Sequence, residues 1–146
     1  TAAVECAISG DDLYIDEKFY RTRMLSGDII DELKNCHLQV VADCADPRLI
    51  EEIYQGGVNI YSVEKGDGSI IAGLDYMQGK RIHVTKRSFN IMKEFRNYTW
   101  DVDKNGNYIN QPIDAYNHAI DAARYYCLGK LLGRMRKRNT DDSKFF

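Results

Sequence analysis

The chain has 146 residues, 44% of them hydrophobic and 29% charged, a balance expected of one soluble globular domain with room for a core. Twenty Lys and Arg against twenty-two Asp and Glu leave a net charge of −2, which excludes a protein that coats nucleic acid by bulk charge. No uninterrupted apolar run of about 18 residues occurs, and the N-terminus lacks a basic, apolar and small-residue succession; an intracellular protein with no membrane partner is expected.

"AAVECAI" and "DLYIDEKFY", joined by "SGDD", read as an opening antiparallel hairpin. "GDIIDELKN" spaces Ile29, Ile30 and Leu33 for a short helix, with Ser26 available as its cap. In "LQVVADCADPRLIEEIYQGG" an apolar strand reaches Asp43, turns, and enters a helix through Asp46 as N-cap and Pro47 at the first helical position; Gly56 and Gly57 end it. "NIYSVE" reads as a strand, "KGDGSIIAGLDYMQGK" as a glycine-punctuated loop leading into a helix, and "RIHVTK" as a further strand. This alternation implies parallel βαβ units. "SFNIMKEFRNY" is expected to be helical, with Ser88 near its start, and the Asn-Gly pair in "TWDVDKNGNYINQP" marks a β-hairpin. A final helix is expected to begin after Pro112 and to run into "KLLGRMRKRN", whose five basic residues suit either a solvated helix end or a phosphate contact. Cys6, Cys36, Cys44 and Cys127 lie far apart, without the close pairs that bind zinc, and read as reduced, mostly buried thiols.

The final helix carries unusual polarity. Asp114, His118 and Asp121 are offset by four and three positions, so they share one expected helical face. They could be a dipole-favouring acid followed by a local His–Asp pair, or part of a metal site. Asp43 favours the second reading, because it stands at the C-terminal end of an apolar strand, where ligand sites form in open α/β sheets. A capping role for Asp43 is the alternative, though Asp46 fills that role better. If the last helix packs beside the sheet, two carboxylates and an imidazole converge, a donor set that suits a hard divalent cation, the imidazole tolerating Mn²⁺ more readily than Ca²⁺, and metal-dependent phosphoryl transfer. Such sites usually hold three or four acids, and only two are well placed here.

In order and over nearly the whole chain, "VVADCADPRLIEEI", "NIYSVEKGDGSI", "FRNYTWD" and "PIDAYNHAIDAARYY" resemble the C-terminal nuclease domain of tailed-phage terminase large subunits. The resemblance implies an α/β fold of the ribonuclease H-like type: a mixed sheet flanked by helices, with an extra β-hairpin. It implies an endonuclease that cuts concatemeric viral DNA during genome packaging, with Asp43, His118 and Asp121 as catalytic metal ligands. Mg²⁺ or Mn²⁺ is the implied cofactor, two ions in the complete domain. Lys65 in "EKGDGS" matches a family position and is assigned to DNA or phosphate contact, a solvated loop lysine being the alternative. Arg134 and Lys137 are expected to join it on the DNA backbone. The hairpin is implied to control DNA access. Double-stranded DNA, a packaging ATPase domain, a small terminase subunit and a portal are the implied partners, in the cytoplasm of a bacterial host.

One departure stands out. The family normally begins this domain with a strand carrying a first metal-binding aspartate, upstream of a segment that looks like "TAAVECAISGDDLYIDEKFY". Thr1 therefore reads as a truncation point, and the missing strand would lie between the opening hairpin and the Asp43 strand. Either the sheet rearranges, for instance by strand exchange with another copy, or metal affinity and activity are reduced. Glu5, Asp16 and Glu17 are nearby acids but sit outside the expected motif. Residues 1–138 are read as the nuclease domain and 139–146 as a polar tail. No G-x-x-x-x-G-K-[ST] occurs, so ATP hydrolysis is not expected. The competing readings are a catalytically silent DNA-binding or assembly module and another ribonuclease H-like enzyme, such as a resolvase or transposase; the order of the motifs disfavours the latter.

Overall fold

The computed structural model describes residues 1–43 and 45–133. Arg134, Lys137, the boundary at 138, the tail and Cys44 lie outside the described residues.

Strands β1 (Ala2–Ser9) and β2 (Asp12–Tyr20) form the expected antiparallel hairpin. Their register slips once: Ala3 faces Phe19 but Val4 faces Glu17, so Lys18 is an extra residue on β2. Such a bulge reverses which side chains point to which face of the sheet. Before it, Leu13 and Ile15 enter one core; after it, Phe19 enters a second, while Tyr20 returns to the first. The inserted residue thus moves Phe19 onto the face opposite Leu13 and Ile15.

Helix α1 (Ser26–Leu33) starts one residue earlier than its expected cap allows. Ser26 is inside the helix, its hydroxyl donating to Glu52, and the N-cap position falls on Leu25, whose N–H donates to Asp28 Oδ2 at 2.8 Å. That is half a capping box, supplied by the acid rather than the serine. β3 (Val40–Asp43), α2 (Pro47–Gln55) and β4 (Ile60–Val63) form a parallel βαβ unit. Asp46 caps α2, its Oδ1 accepting from the Arg48 and Leu49 N–H groups at 3.1 and 3.2 Å, with Pro47 fixing the first turn.

Helix α3 (Ser69–Gln78) leads to β5 (Arg81–Val84), which pairs in parallel with β2 and not with β4. The βαβ reading therefore holds for β3–α2–β4 and fails for β4–α3–β5. Helix α4 (Phe89–Asn97) precedes the hairpin of β6 (Trp100–Val102) and β7 (Tyr108–Pro112), closed by a loop in which Asp103 Oδ1 accepts from the Asn105 and Asn107 N–H groups.

Helix α5 (His118–Leu132) is the hub, packing against α3, α4, β1 and β3. Six of its buried residues, Ala119, Ile120, Ala123, Arg124, Cys127 and Leu128, recur at helical spacing along one broad face, with Arg124 as its one charged member, and Gly129 is buried beside it. β1–β2–β5 form one mixed sheet and β3–β4 a separate parallel pair, and no described strand lies between β1 and β3. α5 packs against both β1 and β3, across this division. Among the described residues no helix is long and apolar enough to cross a membrane. Cys6, Cys36 and Cys127 are free thiols, and of these only Cys127 is fully buried.

Candidate metal centre

Asp43 is the last residue of β3, where the strand hands over to the turn before α2. Its Oδ1 accepts the Ala45 N–H at 3.2 Å, and its Oδ2 accepts from Lys65 Nζ at 2.8 Å and from the Tyr125 hydroxyl at 3.2 Å. The Tyr125 bond ties the strand tip to α5. Desolvation of the partly buried Asp43 opposes ionisation, but the Lys65 ammonium, the Ala45 N–H and the Tyr125 hydroxyl outweigh it and hold the carboxyl below its ordinary pKa. The same contact with Asp43 raises the Lys65 pKa, so both groups carry full charge at neutral pH.

Asp121 lies one helical turn before Tyr125, on the same face of α5. Its Oδ1 accepts two bonds from Arg124, from Nε at 3.0 Å and Nη2 at 2.9 Å, and among the described residues neither bond involves Oδ2. Arg124 is a buried cation, only 2% exposed, and its Nη1 has no hydrogen-bond partner. Its stem passes Gly73 of α3 so closely that a Cβ there would sit 2.6 Å from Arg124 Cγ. The guanidinium also lies 4.6 Å from the Tyr125 ring centroid, and Lys65 Nζ lies 5.3 Å from it. Tyr98, half-buried, has its phenol pKa raised by burial and then by the nearby Asp121 charge.

His118 is the first residue of α5, exposed, with its ring 6.0 Å from that of Tyr20. The helix start behind it is held from α4: buried Glu94 accepts the Ala119 and Ile120 N–H groups at 2.8 and 2.9 Å and the Tyr20 hydroxyl at 2.8 Å. A carboxylate is favoured there by the helix dipole.

Asp114 is not on this face at all. It sits in the connection before α5, accepting from Asn117 Nδ2 at 3.1 Å, and Tyr116 next to it adopts a left-handed backbone with φ of 55°. That kink delays the helix to His118 and removes Asp114 from the expected cluster.

Asp43 is thus tied through the Tyr125 hydroxyl to the turn of α5 that follows Asp121, with His118 on the preceding turn of the same face. Among the described residues no group of three His, Cys, Asp or Glu side chains is gathered tightly enough to hold an ion, and each acid is engaged by an internal cation. The donor types still fit a hard divalent cation: ionised carboxylate oxygens and an imidazole. Glu5, Asp16 and Glu17 have other work. Glu5 pairs with Lys18, Asp16 with Arg87, and Glu17 accepts the Ile91 N–H and the Asn90 amide at the start of α4.

A family model described as the terminase RNase H-like domain matches residues 1–128. The chain belongs to this family. The terminase domain is 34% identical over 119 residues to the terminase large subunit of Bacillus phage SPP1, covering 78% of this chain and 28% of that protein. It therefore spans about a quarter of the length of that relative. The nuclease domain of the g2p large terminase from bacteriophage SPP1, solved with bound Mn, superposes with a TM-score of 0.69 at 25% identity, covering 85% of this chain and 82% of the other.

Arg124 and Tyr125 were not singled out in the sequence, yet they set the geometry of both acids. The signal was present in "DAARYY": an arginine three positions and a tyrosine four positions after Asp121 must share its face.

Proposed function

We propose that this terminase domain is a divalent-metal-dependent DNA endonuclease that cuts concatemeric viral DNA during genome packaging. Asp43, Asp121 and His118 are its metal ligands. The observation that carries this reading is the Asp43–Tyr125 hydrogen bond, which fastens the strand-tip carboxylate to α5 one turn from Asp121. The SPP1 nuclease domain, which holds Mn, supports Mg²⁺ or Mn²⁺ as the cofactor.

A divalent ion held by Asp43, Asp121 and His118 would supply an acidified water and positive charge to offset the scissile phosphate. The chain's own residues prepare that chemistry. Asp43 and Asp121 supply negative charge at fixed positions, Arg124 orienting the second and Tyr125 the first. Glu94 holds the start of α5, and with it His118. A second ion calls for a further carboxylate beyond these two. Lys65, whose side chain is 36% exposed, reaches the phosphate backbone, and Arg134 and Lys137 extend that contact. The β6–β7 hairpin limits access of the duplex. The partners are double-stranded DNA and, in the whole assembly, the packaging ATPase domain, small subunit and portal, in the host cytoplasm.

A second reading has its own support. Asp43 and Asp121 are already neutralised by Lys65 and Arg124, as in a silent DNA-binding or assembly module whose acids only satisfy internal cations. Plasmid nicking separates the two. Cleavage in Mn²⁺ that disappears with chelator and in Asp43→Ala and Asp121→Ala supports the enzyme; tight DNA binding without cleavage in any metal supports the module.

A further inference from the structure

The two cations that engage the acids are built differently. Arg124 is 2% exposed, grips Asp121 through two N–H groups, and is confined by Gly73, so it has nowhere to go. Lys65 comes from the loop between β4 and α3, its side chain 36% exposed against 33% for that of Asp43, and a single ammonium contact of 2.8 Å joins them. A lysine is a compact charge on a flexible four-carbon stem and can withdraw into water, whereas a buried guanidinium fork cannot. Lys65 Nζ also occupies the side of Asp43 Oδ2 that faces α5, since the Tyr125 hydroxyl bonds the same oxygen and the ammonium lies over the Tyr125 ring.

From this contrast we propose that Lys65 is an exchangeable occupant of the cation position on Asp43. Its ammonium holds the carboxylate until a divalent ion arrives and must leave Oδ2 for that ion to bind; Arg124 stays on Asp121 throughout. A divalent ion bonds a carboxylate oxygen at about 2.0–2.2 Å through one of its two lone pairs, and on Oδ2 both are already taken, by Lys65 Nζ and by the Tyr125 hydroxyl. Loading and release are therefore coupled. The freed ammonium becomes available to phosphate only once the ion is seated, so the charge that keeps the ion-free carboxylate in place is the one later offered to the substrate. This proposal rests on the reading of Asp43 as a metal ligand.

Calorimetric titration of Mn²⁺ into the protein, without DNA, tests both layers. Lys65→Met and Lys65→Gln should bind Mn²⁺ at least about threefold more tightly than the native chain, the scale of a part-exposed ion pair, while Lys65→Arg, which restores a competing cation, should not. Unchanged or weaker binding in Lys65→Met and Lys65→Gln, with binding lost in Asp43→Asn, would overturn the exchange and leave Asp43 a ligand. Native-like Mn²⁺ binding in Asp43→Asn would overturn the ligand reading itself, and the exchange with it. Circular dichroism of each variant shows that the fold is retained.

Discussion

In the proposed site Asp43 and Asp121 would each bring a carboxylate to the ion, whereas His118 would bring an imidazole with no formal charge. Replacing either acid by Ala is expected to reduce Mn²⁺-dependent nicking by at least about a hundredfold, and His118→Ala by less, because loss of a neutral ligand leaves the ion's charge balance intact. Equal loss in all three, measured by the rate of plasmid relaxation, would contradict that ranking. Arg124 acts through Asp121. Arg124→Met should weaken Mn²⁺ binding by about 10–100-fold, the usual cost of losing a group that orients a ligand. At this scale Asp43, His118 and Asp121 stand out as candidate ligands by strand-end position and helical offset, but the helical face that was expected to include Asp114 begins only at His118. The place of Asp114 depends on the left-handed Tyr116 and the Asn117 contact, neither of which leaves a periodic trace.

Among the elements, α5 depends most on its neighbours. Glu94 satisfies two N–H groups of its first turn and the Tyr20 hydroxyl while being only 2% exposed. Glu94→Ala should cost about 3 kcal/mol or more, since three donors lose a charged acceptor in a buried setting. Urea unfolding would measure it, and a change under 1 kcal/mol, roughly the worth of one ordinary hydrogen bond, would mean the helix start is held by something else. Gly73→Ala should destabilise by about 1–3 kcal/mol through overpacking against Arg124, which is too buried to move aside. Most element boundaries were readable because their signals are local: Asp46 and Pro47 start α2, and Asn105–Gly106 turns the last hairpin. What was not readable is pairing between distant segments. Nothing in "RIHVTK" says that it joins β2 rather than β4, because its partner is chosen by burial of Leu13 and Ile15 beneath α3, α4 and α5.

For the molecule as a whole, the outer face of the β1–β2–β5 sheet is laced by ion pairs, and acid should loosen it. The Arg87 guanidinium is the main influence on Asp16; with Thr85 and Lys18 it overcomes desolvation and holds that carboxyl well below its ordinary value. A carboxyl with a depressed folded-state pKa adds stability that is complete above its unfolded value of about 3.9 and drains away as pH falls through the lower folded value. Arg87→Ala should therefore lose stability near neutral pH and show a flatter decline below about pH 4, followed by urea midpoints across the acid range. A slope identical to the native chain would show that the pair contributes nothing. The family relationship was legible in motif order. A gap between the opening hairpin and the Asp43 strand was expected from the family's strand order alone; that α5 packs against both β1 and β3 across it follows from no residue pattern within the chain.

The central claim is that folding sets Asp43 of β3 and Asp121 of α5 around one cation position. Anomalous diffraction at the manganese edge from crystals soaked in Mn²⁺ addresses it directly. A peak bonded to both carboxylates, with Lys65 withdrawn from Asp43, is the expected result. Manganese bound elsewhere, with Asp43 still on Lys65 and Asp121 still on Arg124, would contradict the account.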